Sequence, residues 1–174
     1  MKALVATAAT LLLAAASAAV LAQEKPNDAQ IAEILTTANQ ADIDAGKLAE
    51  SKGTDKDVKS FGKEMVTDHG ASNRSVAALA KKLGVKPEQS PTSKTLKAGA
   101  EDNMKKLQGL SGAAFDKAYI DHEVEFHQVV LDSIDKTLMP SASNAELRSA
   151  ITSTRPVIAA HLARAKSIQS KLGK

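Results

Sequence analysis

The sequence predicts an all-α protein, a bundle of four long helices with one long crossover between the second and the third. Apolar residues recur at spacings of three and four over long stretches, which is typical of helices that bury one face. Val, Ile and Thr do not alternate with polar residues over any useful length, so strand signals are nearly absent. Glycines, prolines and capping residues divide the periodic stretches into four long segments.

An apolar segment precedes the first helix. The chain begins MKALVATAATLLLAAASAAVLAQEKP, with one basic residue, an apolar run that starts at Ala3 and a small-residue boundary that ends at Ala22. This pattern predicts a signal peptide over residues 1–22, cleaved after Ala22. An uncleaved membrane anchor is the alternative, because the run approaches spanning length, but Ala-rich runs insert weakly. We therefore expect the mature domain, residues 23–174, to be exported to the periplasm or secreted.

The composition limits what the mature domain could bind. The sequence has no cysteine, which excludes a disulfide framework and a lipid-anchored cysteine. Its formal charge is +3, and cleavage would remove only one charged residue, Lys2. Basic and acidic residues are interspersed, and the aromatic residues are one tyrosine and three phenylalanines, so no nucleic-acid partner is expected. Lysines scattered around the helices argue against a mature domain that spans or binds a membrane.

The first two helices are bounded by capping and breaking residues. The first is expected over about 28–52, because Asn27 and Gln30 can form a capping box at its start. The second is expected over about 55–83, since Gly84 and the prolines after it stop the helical pattern. Only a few residues separate these two helices, so they should be antiparallel neighbours.

The connection to the third long helix is too long for a hairpin. The segment 85–111 should cross the bundle and carry a short helix, about 92–108. The third long helix is expected over about 112–138 and is closed by Pro140.

The fourth long helix is expected over about 144–172. Ser143 and Glu146 match a capping box at its start. Pro156 lies inside the segment, where it removes a backbone hydrogen bond and should kink the helix. Two separate helices that meet at Pro156 are the alternative.

One metal-competent residue interrupts the apolar seam of each long helix. Asp42 does so in the first helix, His69 in the second, His127 in the third and His161 in the fourth. At about 1.5 Å per residue these positions differ in height by about one turn, so their side chains can meet in one constellation. The fourth histidine, His122, points roughly 140° away from the seam of its helix and is expected at the surface.

Three imidazoles and a carboxylate would suit zinc, copper or iron better than calcium or magnesium, which prefer oxygen ligands. Glu123, one turn before His127, could add a fifth ligand or orient that ring. Asp68, next to His69, could orient a ligand through a hydrogen bond. The alternative is a metal-free hydrogen-bonded network in which Asp42 holds one or two of the histidines.

Four stretches of the sequence are similar to a known family. ADIDAGKLA, EMVTDHGASN, LSGAAFDKAYIDHEVEFH and RPVIAAHLARA, in this order, resemble exported bacterial proteins of the domain-of-unknown-function 4142 family (DUF4142) over about residues 28–170. The resemblance implies a ferritin-like four-helix fold and places the family's recurring polar positions at Asp42, His69, His127 and His161. A glutamate usually occupies the first of these positions. The resemblance implies no activity, because the family has none established.

An oxygen-activating di-iron centre is disfavoured. Such centres use mainly carboxylates with Glu-x-x-His pairs. Here Val66 stands three residues before His69, and Ile158 stands three residues before His161. The sequence also lacks a glycine-rich phosphate loop, and its spacing indicates no Ser-His-Asp arrangement. These observations favour a binding protein over an enzyme.

The sequence therefore predicts an exported helical bundle that binds one transition-metal ion for storage, buffering or stress protection. The alternative is a structural or interaction module of the cell envelope whose buried His and Asp network is metal-free. A metal-dependent enzyme is the third hypothesis, and the sequence leaves protein partners undetermined.

Overall fold

A computed structural model describes residues 25–173. The predicted signal peptide, residues 1–22, lies outside this part of the chain and stays a prediction. This part of the chain forms six helices, with a π-helical turn, Ile134–Leu138, between the fourth and the fifth: α1 (Asp28–Lys52), α2 (Lys56–Lys82), α3 (Pro91–Gln108), α4 (Gly112–Ser133), α5 (Met139–Ser141) and α6 (Ala145–Leu172). The described residues contain no strand, which confirms the all-α class. None of these helices is both long enough and apolar enough to span a membrane.

The start of α1 is as predicted, whereas the start of α6 is not. Asn27 accepts a hydrogen bond from the N–H of Gln30, and the Gln30 side chain accepts one from the N–H of Asn27, which confirms the capping box. The predicted box of Ser143 and Glu146 is wrong, because Asn144 is the residue that caps α6. Ser143 is displaced from this role because its hydroxyl donates to a carboxylate on α1.

The last two long helices each contain one irregularity. Pro156 lies inside α6, which runs unbroken from Ala145 to Leu172 and so is one helix rather than two. The predicted third helix, about 112–138, loses its regular α-helical form after Ser133 and continues as the π-helical turn. Both ends of this turn remain buried in the core.

The four long helices form two hairpins packed face to face. α1 packs most extensively on α2, and α4 on α6. Arg155 of α6 bonds to Asp135 at one end of the second hairpin, and Gln169 of α6 bonds to Asp121 at the other. Residue numbers therefore rise in opposite directions along α4 and α6.

The short helix α3 carries the chain from one end of the bundle back to the other. Before α3 begins, the N–H of Glu88 donates to the carbonyl of Ala29 at the start of α1 (3.1 Å). At its end the carbonyl of Gln108 accepts a hydrogen bond from Lys52 at the end of α1 (2.8 Å). α3 thus runs parallel to α1, and α2 and α4 run in the same direction.

The core consists of two apolar clusters, one towards each end of the bundle. The first includes Phe61 and Phe115 and lies near the loop between α1 and α2. The second includes Ile134 and Ile151 and lies at the opposite end. A layer of buried polar side chains separates the two clusters, and this layer is the candidate site.

Each hairpin holds the other's loop through one carboxylate. Asp116 of α4 accepts hydrogen bonds from the N–H groups of Thr54 (3.0 Å) and Asp55 (2.9 Å) in the loop between α1 and α2. Asp28 of α1 accepts from the N–H (2.8 Å) and hydroxyl (2.6 Å) of Ser143 before α6. The two contacts lie at opposite ends of the bundle, so together they fix the register of one hairpin against the other.

Two glycines bring the backbones of α1 and α2 into direct contact. A Cβ atom at Gly46 would lie 2.6 Å from the carbonyl oxygen of Gly62, and one at Gly62 would lie 2.6 Å from the carbonyl oxygen of Gly46. No side chain fits at either position unless the helices separate. Gly46 is one turn from Asp42, so this contact also fixes how close α1 lies to α2 near the polar layer.

Asp28→Ala should lower the free energy of unfolding by about 1–2 kcal/mol at pH 7, because it removes the acceptor for Ser143. Burial alone would raise the pKa of Asp28, but hydrogen bonds from Ser143 and Asn144 and the charge of Arg148 hold this pKa below its usual value of 3.8. The stabilisation is therefore complete above about pH 3.8 and is lost as the pH falls through the lower, folded-state pKa.

Urea denaturation of Asp28→Ala and of the unsubstituted protein between pH 2 and pH 7 measures this difference. Asp102→Ala, which removes an exposed carboxylate paired only with Lys105, is the control and should change stability by less than about 0.5 kcal/mol. Equal stabilities of Asp28→Ala and the control at pH 7 would contradict the role of Asp28.

Gly62→Ala should destabilise the protein by roughly 1–3 kcal/mol, because the new methyl group meets the backbone of α1 and the Cβ atom of Ala49 at 2.9 Å. Gly99→Ala in α3 is the matched control. Nothing lies within 4 Å of a Cβ atom at Gly99, so alanine there should stabilise the protein by about 0.5–1 kcal/mol. Thermal melts that shift in the same direction for both variants would refute the close contact.

Candidate metal centre

Five ionisable side chains meet in the polar layer, each between 0% and 3% exposed. α1 supplies Asp42, α2 supplies His69, α4 supplies Glu123 and His127, and α6 supplies His161. The donor atoms of the three histidines lie within 4.8 Å of one another, and so do those of Asp42, Glu123 and His127. The structure thus brings the four predicted residues together with Glu123, the possible fifth ligand.

The three imidazole rings form a nearly regular triangle. Their centroids are 5.8 Å apart for His69 and His127, 5.3 Å for His69 and His161, and 5.5 Å for His127 and His161. Phe61 packs edge-on against His127 and His161 at 6.3 and 6.4 Å and closes the layer towards the first apolar cluster.

His69 is held by Asn39, one turn from Asp42 on α1. The Asn39 amide nitrogen donates to Ser72 (3.0 Å) and Asn73 (2.9 Å), so its carbonyl oxygen faces His69. That oxygen is 2.8 Å from Nδ1 of His69 and accepts its proton. A neutral ring with the proton on Nδ1 has its lone pair on Nε2.

The other two histidines are held in the same manner by different acceptors. Nδ1 of His127 donates to the backbone carbonyl of Glu123 (2.9 Å), one turn earlier on α4. Nε2 of His161 donates to the carboxylate of Asp68 on α2 (3.0 Å). The lone pairs therefore lie on Nε2 of His127 and on Nδ1 of His161.

Each ring consequently has one nitrogen that is bound and one that is available. Within residues 25–173, Nε2 of His69, Nε2 of His127 and Nδ1 of His161 are buried and have no hydrogen-bond partner. Histidines that ligate metals characteristically donate their other N–H to a carbonyl or a carboxylate. An amide carbonyl, a backbone carbonyl and a carboxylate serve the three rings here.

The two buried carboxyl groups lack a basic partner. No lysine or arginine in the described part of the chain forms an ion pair with Asp42 or Glu123, whose nearest cationic candidates are His69 and His127, each at 3.4 Å. Within residues 25–173, neither Glu123 oxygen accepts a hydrogen bond from an N–H or alcohol group, and the side-chain partner of Glu123 is the carboxyl group of Asp42. Burial raises the pKa of Asp42 to about 8, and burial together with the nearby Asp42 raises the pKa of Glu123 well above its usual range.

Burial also keeps the imidazoles of His69 and His127 neutral. It lowers the pKa of His69 to about 3, with a further contribution from the neighbouring His127 and His161. It lowers the pKa of His127 to about 4, with a further contribution from His161. Neutral rings are the form in which histidine binds a metal ion.

Sequence reasoning missed two neighbours of the cluster, Asn39 and Tyr119. Tyr119 is fully buried with an unpartnered hydroxyl, one turn before Glu123 on α4. The sequence did contain a signal for both residues. Asn39 lies three residues before Asp42 and Tyr119 four residues before Glu123, and such spacings place side chains on the same face of a helix. His122 lies outside the cluster, as expected, but it is half-buried and stacks on Phe126 rather than lying free at the surface.

Comparison of the sequence with known proteins identifies one family. The sequence model of a family described as a domain of unknown function (DUF4142) matches residues 12–168. No curated protein and no solved structure matches the chain.

Glu123→Gln should raise the free energy of unfolding of chelator-treated protein at pH 8 by roughly 1–2 kcal/mol. The substitution removes the cost of burying an ionisable group that lacks a basic partner, and it keeps the volume of the side chain. Glu125→Gln, at an exposed position of the same helix, is the control and should change stability by less than about 0.5 kcal/mol. Denaturant titration decides the point, and a marked loss of stability in Glu123→Gln would show that the carboxylate is itself stabilising.

Proposed function

The chain belongs to the DUF4142 family, whose description assigns no function, and we propose that it binds one transition-metal ion in the core of its bundle. Asp42, His69, His127 and His161 are the proposed ligands, and Glu123 is the proposed fifth. The supporting observation is the set of three buried imidazoles whose outer N–H groups are bound and whose other nitrogens are unpartnered.

The charge of the cluster supports a divalent cation. Two ionised carboxylates buried without a basic partner are strongly disfavoured in a bundle core. A dication bound by Asp42, Glu123 and three neutral imidazoles would make the whole layer formally neutral. Without that cation, burial raises the pKa values of Asp42 and Glu123. A bound dication would favour the ionised form of both groups.

The donors support one ion rather than two. His127 belongs both to the group of three histidines and to the group with Asp42 and Glu123. Its Nδ1 is bound to a backbone carbonyl, so only Nε2 can coordinate, and it can serve a single ion. The donor atoms of each group lie up to 4.8 Å from one another. Binding one ion at metal–nitrogen distances of about 2.0–2.1 Å would bring these atoms closer together.

The donor set is consistent with zinc, copper or iron. Imidazole nitrogens suit these metals, whereas calcium and magnesium take oxygen ligands. A metal-free network is the weaker proposal, because it leaves three buried ring nitrogens without a protein partner and pairs the Glu123 carboxyl group only with that of Asp42.

We further propose that the protein is exported and serves in storage, buffering or stress protection. The N-terminal sequence supports export, and the burial of every proposed ligand supports retention of the ion. The fold that we propose is ferritin-like, since α2 and α4 run in the same direction and are joined by one long crossover.

Protein purified after export should contain close to one equivalent of zinc, copper or iron per chain. His127→Ala should abolish this content, because it removes the ligand common to both groups of donors. Adding the metal to chelated, unsubstituted protein should raise its melting temperature, with a stabilisation of about 2.7 kcal/mol at a hundredfold excess over Kd. Elemental analysis and thermal melts measure these effects.

His122→Ala is the matched control, because His122 lies on the same helix but outside the cluster. It should retain the metal and the shift in melting temperature. Exported protein that contains no metal, and whose melting temperature is unchanged by zinc, copper and iron, would overturn the proposal. Mass spectrometry of the same protein tests cleavage after Ala22.

A further inference from the structure

We propose that Glu64 and Asp68 on α2 form the port through which a divalent cation reaches the buried cluster. Arg164 on α6 closes this port by pairing with Glu64. This inference rests on the proposed metal site and adds the route by which that site is filled. It concerns the rate of exchange, whereas the proposed function concerns the ligands themselves.

Asp68 is the most exposed of the three groups that hold the histidine rings. The Asn39 side chain that holds His69 is 5% exposed, and the Glu123 carbonyl that holds His127 belongs to a residue that is 0% exposed. The Asp68 side chain that holds His161 is 42% exposed. Of the three acceptors that orient the rings, only that of His161 is therefore directly accessible to an ion in solution.

A groove between α2 and α6 leads to this carboxylate. It has a volume of about 460 Å³ and ends beside Asp68. Small residues line much of it, among them Ala71, Ser72 and Thr154. Ser72 also accepts a hydrogen bond from Asn39, the residue that holds His69.

The port contains a set of donors of its own. Donor atoms of Glu64, Asp68 and His161 lie within 4.8 Å of one another. Glu64 and Asp68 are one turn apart on α2 and are both half-buried, which suits a site that holds an ion briefly. His161 itself is buried, has an unpartnered Nδ1 and belongs to the inner cluster as well. It is the one residue shared by the port and the core.

Arg164 closes the port in the described structure. Its guanidinium forms an ion pair with Glu64 and donates to the hydroxyl of Ser60 (2.9 Å). A cation that binds Glu64 competes with this guanidinium, because the two positive groups repel each other on the same carboxylate. Arg164 is partly exposed and one turn from His161, and its guanidinium also lies 5.8 Å from the centre of the Phe61 ring. Its movement into solvent therefore gives up the ion pair with Glu64 and the contact with Phe61.

Stopped-flow uptake of cobalt(II) by chelator-treated full-length mature protein tests the port, with cobalt absorption as the signal. Asp68→Asn keeps an acceptor for His161 but loses the charge, and Glu64→Gln loses the second charge. Each should lower the association rate constant about tenfold. For Glu64→Gln, Kd should change by less than about threefold, because Glu64 does not hold the ion or a ligand ring in the core. Asp68→Asn also changes the support of His161, so it should bind the ion more weakly as well as more slowly. Arg164→Gln should raise the association rate constant about threefold or more.

Asp132→Asn is the matched control, since Asp132 is a similarly exposed carboxylate on α4, outside the port. It should leave both constants unchanged, and circular dichroism melts establish that each variant is folded. Unchanged association rates in Asp68→Asn and Glu64→Gln would overturn the port while leaving the metal site intact. Weaker affinity at an unchanged association rate would also overturn it. An unsubstituted protein that takes up no cobalt would overturn the metal site and the port together.

Discussion

The constraint on which the structure depends is the burial of five ionisable side chains in the middle of a helical bundle. Apolar clusters lie on both sides of this layer, so solvent cannot compensate its charges. The protein fixes each imidazole through one nitrogen, to Asn39, to the Glu123 carbonyl or to Asp68. The other nitrogens and the two carboxyl groups are left to balance one another or a cation.

Such a layer requires four helices to agree in height to within a fraction of a turn. The structure secures this at three places. Asp116 and Asp28 hold the loops at opposite ends, and the contact of Gly46 with Gly62 sets the separation of α1 and α2. None of these contacts touches the histidines, yet each limits how far one seam can slide past another. The geometry of the proposed metal site is thus a property of the whole bundle.

The layer is also asymmetric with respect to solvent. His69 and His127 are held from within the protein, while His161 is held by a carboxylate at the end of an open groove. A site built in this manner can combine a dry interior, where an ion is held by neutral rings and carboxylates, with one face where ligand exchange can begin. This combination suits a protein that stores or buffers an ion and must also release it.

The sequence by itself determined the helices and the inward direction of Asp42, His69, His127 and His161. Both follow from local rules, because helical periodicity and capping depend on residues only a few positions apart. It could not assign the acceptors of the rings, the loop contacts of Asp28 and Asp116 or the cap at Asn144. Those depend on which residues of distant segments come to face each other. Only the tertiary structure decided them, because the register between hairpins arises from packing, and no periodic pattern in one helix encodes the height of its neighbour.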